Sequence, residues 1–257
     1  MITVKVHAPC ATIILDRPKK CNALDRQMIA ELAQAVDDLR QERRVRCVVL
    51  TGAGPHFCAG VDLAQWQEAT QSPEALRQFH ADAQALRDLI ESMLQLPKPI
   101  IAAVDGAVIG AGLALVLASD LVVASHRATF SLPAPKRGLV SGLVAPLVVF
   151  RHGAALASRL MLGGEEIDAA EAYRLGVVHH LVQPDHVWVR ANSWGQSIAE
   201  SSAESLQLSK KLLNEMIGET LSMELSTGAA VTATALTTEA ASEGMRAFNE
   251  KRPTKFP

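Results

Sequence analysis

The chain has 257 residues, of which 49% are apolar, enough for one large domain or for a domain with an appendage. A formal net charge of -2 gives no sign of binding to nucleic acid or to an anionic membrane surface. The four cysteines show no CxxC spacing and no zinc-type cluster with histidine, which favours free thiols over a metal site or a disulfide framework.

The first residues of the chain alternate in the manner of β-strands. "ITVKV" and "ATIIL" predict two short strands that form a hairpin around Ala8 and Pro9. Because the chain starts directly on a strand pattern, we expect no signal or transit peptide and a cytoplasmic location. The apolar run from Gly106 to Ser119 is shorter than the ~20 residues that a membrane span needs, so no membrane partner is expected.

Helical and strand patterns alternate over the next hundred residues. Apolar residues recur at helical spacing in "NALDRQMIAELAQAVDDLRQ", opposite a polar face. A second amphipathic helix is predicted for "SPEALRQFHADAQALRDLIESMLQLPKP", with Ser72 as its N-cap and Pro73 at its first position. Further strands are predicted for "VRCVVLTG", "IIAAVDG", "DLVVAS" and "ATFSL".

The second half of the chain is mainly helical in pattern. From about Ala145 onward strand patterns almost vanish, and "VVHHLV" is the exception. The chain therefore predicts an α/β core followed by a helical tail. The core shows a strand–strand–helix rhythm without a clean sequence repeat.

Three segments each combine a strand end, a turn with glycine or proline, and a helix start. They are "RPKKCNAL", "GPHFCAGVDL" and "DGAVIGAGLALVLASD". In the last two, small residues allow a sharp backbone turn, and the helix start adds unsatisfied N–H donors and a positive dipole end. Two such donors directed at one atom would stabilise a developing oxyanion, whereas tight packing is the alternative role for such a turn. A dinucleotide site fits poorly, because Leu115 replaces the third small residue of that motif and the acid expected ~20 residues on is missing.

In order and spacing these segments resemble the motifs of the crotonase (enoyl-CoA hydratase/isomerase) superfamily. "RPKKCNAL" resembles R-P-x-x-x-N-A-L, "FCAGVDL" resembles F-x-A-G-x-D-L, and "DGAVIGAGLALVLASDLVVAS" resembles N-G-x-x-x-G-G-G-x-x-L-x-x-x-C-D-x-x-x-A. "ATFSLPAPKRGL" and the terminal "EGMRAFNEKRPTKF" also fit, so the resemblance covers nearly the whole chain.

The resemblance implies an α/β fold, a crotonase-like spiral of ββα units with a C-terminal helical trimerisation region. On this basis we expect a spiral core with an acyl-CoA site over residues 1–195 and a helical region over residues 196–257. The resemblance also implies a homotrimer or a hexamer made of two trimers, and coenzyme A as part of the substrate thioester rather than as a permanently bound cofactor.

The resemblance also assigns ligand-binding positions. Two backbone N–H groups of the family hold the thioester carbonyl, and by position these belong to Val61 and Ala111. The family usually has glycine at the latter position, and the Cβ of Ala111 disfavours a positive φ there. The coenzyme A contacts implied are Lys19 and Lys20 for the phosphates, the backbone of Ala59, Gly60 and Asp62 for the adenine, and Phe248 and Lys251 for the nucleotide across a subunit contact. The alternatives are a solvated turn for the lysines, a helix cap for Asp62 and simple packing for Phe248.

The two acids that hydratases of this family use are missing. Such enzymes activate water and deliver a proton with two glutamates, and the motifs place these positions at Ala114 and Ala134, where alanine can do no acid–base chemistry. The aspartate of some dehalogenase- and dienoyl isomerase-like members falls at Gly142. Three interpretations stay open: a natural protein that uses another group, a non-catalytic acyl-CoA-binding or assembly subunit, and an engineered inactive Glu-to-Ala variant.

A few side chains could replace the missing acids. Ser141 could touch the acyl pocket, and Lys136 and Arg137 could hold a carboxylate of the substrate, although a turn residue and ordinary surface charges are the alternatives. The remaining candidates are Arg87, His56, His80, His179 and His180. A Ser-His-Asp hydrolase is disfavoured because the chain has no G-x-S-x-G motif, and no metal is predicted. The sequence therefore predicts a protein that binds acyl-CoA thioesters and polarises their carbonyl, with hydration in doubt and decarboxylation, isomerisation or thioester hydrolysis as other possible chemistry.

Overall fold

The computed structural model of the chain describes residues 1–216, 218 and 220–256, and within them it has nine strands and ten α-helices. The strands are β1 (Ile2–His7), β2 (Cys10–Leu15), β3 (Cys47–Gly52), β4 (Ile100–Val104), β5 (Ala107–Ile109), β6 (Leu121–Ser125), β7 (Thr129–Ser131), β8 (Glu166–Asp168) and β9 (His180–Val182). The helices are α1 (Arg26–Gln41), α2 (Leu63–Ala69), α3 (Ala75–Leu94), α4 (Ala111–Ala118), α5 (Ala145–Met161), α6 (Ala169–Arg174), α7 (Val187–Ala199), α8 (Ala203–Lys211), α9 (Leu221–Ala235) and α10 (Glu239–Asn249).

A six-stranded sheet of order β1-β2-β3-β4-β6-β9 forms the larger layer. β1 and β2 are the predicted antiparallel hairpin, and every other neighbouring pair of this sheet is parallel. β4 is buried along its whole length, as expected for an apolar strand of a parallel sheet that is covered on both faces. One face packs on α1, α3 and α4, and the other packs on α7 through Val187 and Ala191.

A smaller sheet of order β5-β7-β8 forms the second layer. Two isolated bridges extend this layer, because Leu24 pairs with Val61 and Cys58 pairs with Val108, both in parallel. Along the chain, one strand enters the large layer, the next enters the small layer, and a helix follows. This order produces the strand–strand–helix rhythm that the sequence indicates.

The C-terminal helices fold back onto the core. α9 packs on α3 and α5, α10 packs on α2, and α8 is tied to the large sheet by Lys210, whose Nζ lies 2.8 Å from Asp120 Oδ2. The expected division at residues 195 and 196 falls inside α7. It stays a prediction, and residues 217, 219 and 257 of the expected C-terminal region lie outside the described residues.

Several elements differ from the sequence-based predictions. The helix predicted to start at Ser72 and Pro73 begins at Ala75 instead, and Ser72 Oγ accepts a hydrogen bond from the N–H of Glu74 at 3.1 Å in the turn before it. The short strands β5 and β8 were not predicted, since three residues are too few to show a clear hydrophobic period. For α2 the sequence predicted the helix start after "GPHFCAGVDL" but not its extent. No helix in the described part of the chain is long and apolar enough to cross a membrane.

Candidate functional site

The two bridges of the small layer bring the three glycine- and proline-containing segments together. The N–H of Leu24 donates to the carbonyl of Gly60 at 2.7 Å, and the N–H of Ile109 donates to the carbonyl of Cys58 at 2.9 Å. Segments that are separated by tens of residues in the sequence therefore run side by side. The turn around Gly60 lies against the N-terminus of α4, where a Cβ built on Gly60 would be 3.3 Å from the nitrogen of Ala111.

Asn22 joins the first of these segments to the second. Its fully buried amide donates to the carbonyls of Ala53 at 2.9 Å and His56 at 2.8 Å, and its Oδ1 accepts from the N–H of Arg17 at 2.9 Å. Asn22 lies within the first of the three motifs, whose sequence pattern alone assigns it no role. A buried asparagine that satisfies three backbone groups holds the adjacent loop in one conformation.

Asp62 has a structural role at the other end of this loop. Its carboxylate accepts from Arg17 Nη1 at 2.7 Å and from the N–H of Ala64 at 3.1 Å, which caps α2. This geometry matches the helix-cap alternative for the Asp62 side chain. Its backbone N–H donates to the carbonyl of Leu24 at 2.8 Å.

The N–H groups of Val61 and Ala111 lie next to each other. Gly60, which precedes Val61, has a φ of +89°, and a Cβ built on it would lie 3.3 Å from the backbone nitrogen of Ala111. Ala111 is the first residue of α4 and has an ordinary helical φ, because the positive φ of this turn, +54°, falls on Gly110. The side chain of Ala111 therefore causes no backbone strain.

Within the described residues, neither of these two N–H groups donates to a protein acceptor. At the start of a helix such a donor has no intrahelical partner, and the helix dipole adds partial positive charge there. Two free donors on neighbouring stretches of backbone beside a cleft form an arrangement that can hold a carbonyl oxygen.

These two residues open onto a largely apolar cleft. Its walls come from the loop around Gly60, from α2, from the residue 133–144 segment and from α9. The lining residues are Ala59, Gly60, Val61, Leu63, Trp66, Ala83, Leu86, Ile109, Gly110, Ala111, Pro133, Ala134, Arg137, Leu139, Val140, Ser141, Gly142, Leu143, Val144 and Thr232. Arg137 is the one ionisable side chain in this set, and no aspartate, glutamate or histidine is among them.

The two positions that the motifs predict for acidic residues, Ala114 and Ala134, differ in their surroundings. Ala134 lines the cleft and is partly buried. Ala114 is fully buried within α4 and is not among the lining residues. Neither position contributes a proton-transfer group.

Two of the proposed replacement groups do line the cleft. Ser141 is buried, and its backbone carbonyl accepts from the N–H groups of Val144 and Ala145 at the start of α5. Arg137 is half-buried, and its guanidinium carbon lies 4.1 Å from the centre of the Phe248 ring. Burial lowers the pKa of Arg137 below its usual range.

The other candidate side chains lie outside the set of lining residues. Lys19 and Lys20 are exposed on a short 3₁₀ turn, and Lys251 is exposed after α10. Their side chains therefore do not contribute to the described cleft. Five further candidates have partners elsewhere in the protein. Lys136 Nζ donates to the carbonyl of Gly164 at 2.7 Å, and Arg87 forms an ion pair with Asp88 at 2.6 Å. His56 Nδ1 accepts from the N–H of Ala107 at 3.3 Å, His179 Nδ1 accepts from the N–H of Val122 at 3.0 Å, and the ring centre of His180 lies 4.6 Å from that of Trp194.

Sequence reasoning missed the residues that close the cleft. Trp66 stands on α2, and Thr232 comes from α9, far along the chain. A single tryptophan just after the "AGVD" turn is the one local signal that could have pointed to Trp66. Thr232 gives no such signal, because only the return of α9 over α3 brings it to the site.

The chain is similar to proteins of one family over almost its full length. The family model described as enoyl-CoA hydratase/isomerase matches residues 5–257. The (E)-benzylidenesuccinyl-CoA hydratase of Thauera aromatica is 32% identical over 257 residues, which cover 99% of this chain and 98% of that protein. The human mitochondrial enoyl-CoA hydratase domain-containing protein 2 is 34% identical over 250 residues, 95% of this chain and 84% of that protein. The crystal structure of an enoyl-CoA hydratase/isomerase from Xanthobacter autotrophicus Py2 superposes with a TM-score of 0.89 at 26% identity, covering 100% of this chain and 98% of that chain.

Proposed function

The chain belongs to the enoyl-CoA hydratase/isomerase family, and on this premise we propose that the N–H groups of Val61 and Ala111 hold and polarise the carbonyl of a bound acyl-CoA thioester. The family and the crotonase-like α/β fold predicted from the motifs are confirmed. The protein is thus an acyl-CoA-binding member of the crotonase superfamily. Members of the enoyl-CoA hydratase family act on coenzyme A thioesters and need no permanent cofactor.

The observation that carries this proposal is the pair of free N–H groups beside an apolar cleft. A thioester carbonyl placed between them would accept two hydrogen bonds, and its oxygen would gain negative charge more easily. Removal of one donor from such a hole typically costs ~3 kcal/mol of transition-state stabilisation. The pair therefore lowers the free energy of any enolate-like state of the bound acyl group.

Hydration of an enoyl thioester requires a proton-transfer group in addition to a polarised carbonyl. Addition of water to an enoyl thioester puts a hydroxyl on Cβ and a proton on Cα, so a group must take up and deliver a proton. Among the residues that line the cleft, Arg137 is the sole ionisable one, and an arginine does not release its proton in a protein. We therefore propose that the protein binds and polarises thioesters without hydrating them at the rate of a hydratase.

The lack of an acid also supports a second candidate, a non-catalytic acyl-CoA-binding or assembly subunit. Both candidates predict thioester binding. They differ in turnover, because a catalytic protein that uses another group would decarboxylate, isomerise or hydrolyse some thioester. A screen of these three reactions separates the two.

The coenzyme A moiety is proposed to lie along the loop that follows β3. The exposed lysines Lys19 and Lys20 would face its phosphates, and the backbone of Ala59, Gly60 and Asp62 would face its adenine. Phe248 and Lys251, both exposed at the end of α10, would meet a nucleotide held by a neighbouring subunit.

Assembly into homotrimers or hexamers is proposed for the C-terminal helical region. Support comes from large apolar side chains that are exposed there on the single chain, because such patches usually mark contact surfaces. They include Leu208, Leu212, Leu213, Met223 and Val231.

The polarisation can be measured directly. Butyryl-CoA labelled with ¹³C at the thioester carbon lacks the double bond, so its carbonyl stretch can be followed in the bound state without hydration. We expect a shift of this band to lower frequency on binding, as two hydrogen bonds weaken the C=O bond. A bound thioester whose carbonyl absorbs where the free ester does would contradict the proposal.

The missing acid can be restored at the position that lines the cleft. With crotonyl-CoA as substrate, we expect Ala134→Glu to raise the hydration rate at least about 100-fold over the unchanged protein, the usual range for one general acid–base group. Ala134→Gln is the matched control, since it has nearly the same size but cannot transfer a proton. The double variant with Ala114→Glu tests whether the second acid adds to the first. Hydration by the unchanged protein at a hydratase-like rate would show that another group does this chemistry.

A further inference from the structure

The cleft contains one positive charge and, among its lining residues, no negative charge to balance it. Arg137 lies three residues after Ala134 on a short 3₁₀ turn, half-buried, with its side chain on the cleft wall. Its guanidinium has no hydrogen bond or ion pair with any described residue. A partly desolvated charge without a partner carries a free-energy cost, and arginine cannot avoid that cost by losing its proton.

Other half-buried arginines of the described chain have acceptors within the protein. Arg17 pairs with Asp62 at 2.7 Å, Arg26 pairs with Asp82 at 2.7 Å, and Arg151 donates to the carbonyl of Leu117 at 3.2 Å. Each of these side chains has at least one acceptor within the protein, although Nη2 of Arg151 is buried without a partner, and Arg137 has no acceptor at all among the described residues. Arg137 lines the cleft that we assign to the ligand.

The ring of Phe248 leaves the donors of Arg137 free. The guanidinium carbon lies 4.1 Å from the ring centre, within the usual distance of a cation–π contact. An aromatic ring has no oxygen acceptor, so this contact leaves the guanidinium without a hydrogen-bonded anion. The planar guanidinium can donate two parallel hydrogen bonds to the two oxygens of a carboxylate.

We propose that Arg137 binds a carboxylate at the far end of the acyl group, and that the preferred ligands are coenzyme A monothioesters of dicarboxylic acids. This inference rests on the proposed function, because it takes the thioester carbonyl to lie at Val61 and Ala111. Arg137 lines the same cleft as these two residues, whereas the lysines proposed for the phosphates lie outside it. An acyl group that ends in a methyl would leave the guanidinium desolvated and unpaired, so the site also selects against monocarboxylic ligands.

Paired ligands test this selection on the unchanged protein. Succinyl-, glutaryl- and adipyl-CoA are compared by calorimetry with butyryl-, pentanoyl- and hexanoyl-CoA, which have the same numbers of carbon atoms. We expect at least one dicarboxylic ligand to bind about tenfold or more tightly than its partner, as hydrogen bonds to a charged group allow. The preference should shrink as salt is added, since ion pairs are screened.

Variants assign the preference to the arginine. Arg137→Met removes the charge at similar volume and is expected to abolish the preference, while Arg137→Lys keeps the charge and part of the preference. Arg43→Met is the matched control, because Arg43 is exposed in the loop after α1 and its loss changes the net charge equally. Circular dichroism checks that each variant is folded, and the comparison of ligands on the unchanged protein needs no variant.

Each contrary result has a distinct meaning. If both ligand classes bind equally well, the inference is wrong and the proposed function stands. If Arg137→Met weakens free coenzyme A and all thioesters by one common factor, Arg137 contacts a coenzyme A phosphate and the inference is again wrong. If no coenzyme A thioester binds the unchanged protein, the proposed function fails and this inference fails with it.

Discussion

A methyl group added at Gly60 would separate the two N–H donors. The Cβ of an alanine there would lie 2.8 Å from the carbonyl oxygen of Ile109 and 3.3 Å from the nitrogen of Ala111. To restore an ordinary contact of about 3.4 Å, the Gly60 loop and the end of β5 must move apart by roughly 0.6 Å. Because Val61 follows Gly60 directly, its N–H would move with the loop.

Gly60→Ala is expected to lower both the folding stability and the thioester affinity of the protein. The φ of +89° at Gly60 costs an alanine about 1–2 kcal/mol of folding free energy, and the close contact with Ile109 adds to this loss. One hydrogen bond to a neutral carbonyl contributes about 1 kcal/mol, so displacement of one donor should weaken thioester binding about fivefold. We therefore expect Gly60→Ala to be folded, less stable, and a weaker binder of butyryl-CoA.

A second glycine provides the control. Gly176 has a φ of +77° with nothing within 4 Å of a built Cβ, and it lies outside the cleft. Gly176→Ala should show the backbone strain alone, with unchanged thioester affinity. The free energy of unfolding from urea titration and the dissociation constant from calorimetry are measured on both variants, together with the carbonyl frequency of bound ¹³C-butyryl-CoA. A folded Gly60→Ala protein with the affinity and carbonyl frequency of the unchanged protein would refute the assignment of the donors.

Two further predictions concern stability. Lys210→Met should destabilise the fold by about 3 kcal/mol in urea titrations, because the Lys210 ammonium is buried and lies 2.8 Å from Asp120 Oδ2, whose carboxylate would lose its counter-ion. The double variant Asp120→Asn, Lys210→Met should regain part of this loss, and a single-variant loss below about 1 kcal/mol would contradict the argument. Burial, together with the charges of Arg151 and His179, lowers the pKa of His152 from 6.5 to about 4. The unfolded chain then takes up a proton between pH 6.5 and 4 that the folded chain does not, so stability should fall as the pH drops through this window, by about 1–2 kcal/mol after allowance for solvent screening. His152→Gln should lack this part of the pH dependence, and an equal slope for both proteins would show that other groups cause it.

The sequence by itself determined the family, the fold class and most of the longer elements. Apolar residues at helical spacing give α1 and most of α3, and continuous apolar runs give β3 and β4, because these patterns depend on neighbours a few residues apart. The turns around Gly60 and Gly110 are local in the same sense, since only glycine adopts their positive φ without strain. The two alanines at the positions that the motifs predict for glutamate are also visible in the sequence alone.

Only the tertiary structure decided how these pieces form a site. It placed the N–H groups of Val61 and Ala111 side by side through bridges between distant segments, and it gave the positive φ to Gly110, which removed the strain expected at Ala111. It also separated Ala134 on the cleft wall from Ala114 in the core, and it left Arg137 without a protein partner. These features depend on contacts between residues that are far apart in the chain, such as charge pairs and the packing of α9 over the core. Sequence patterns are formed by residues a few positions apart, so they cannot predict such contacts.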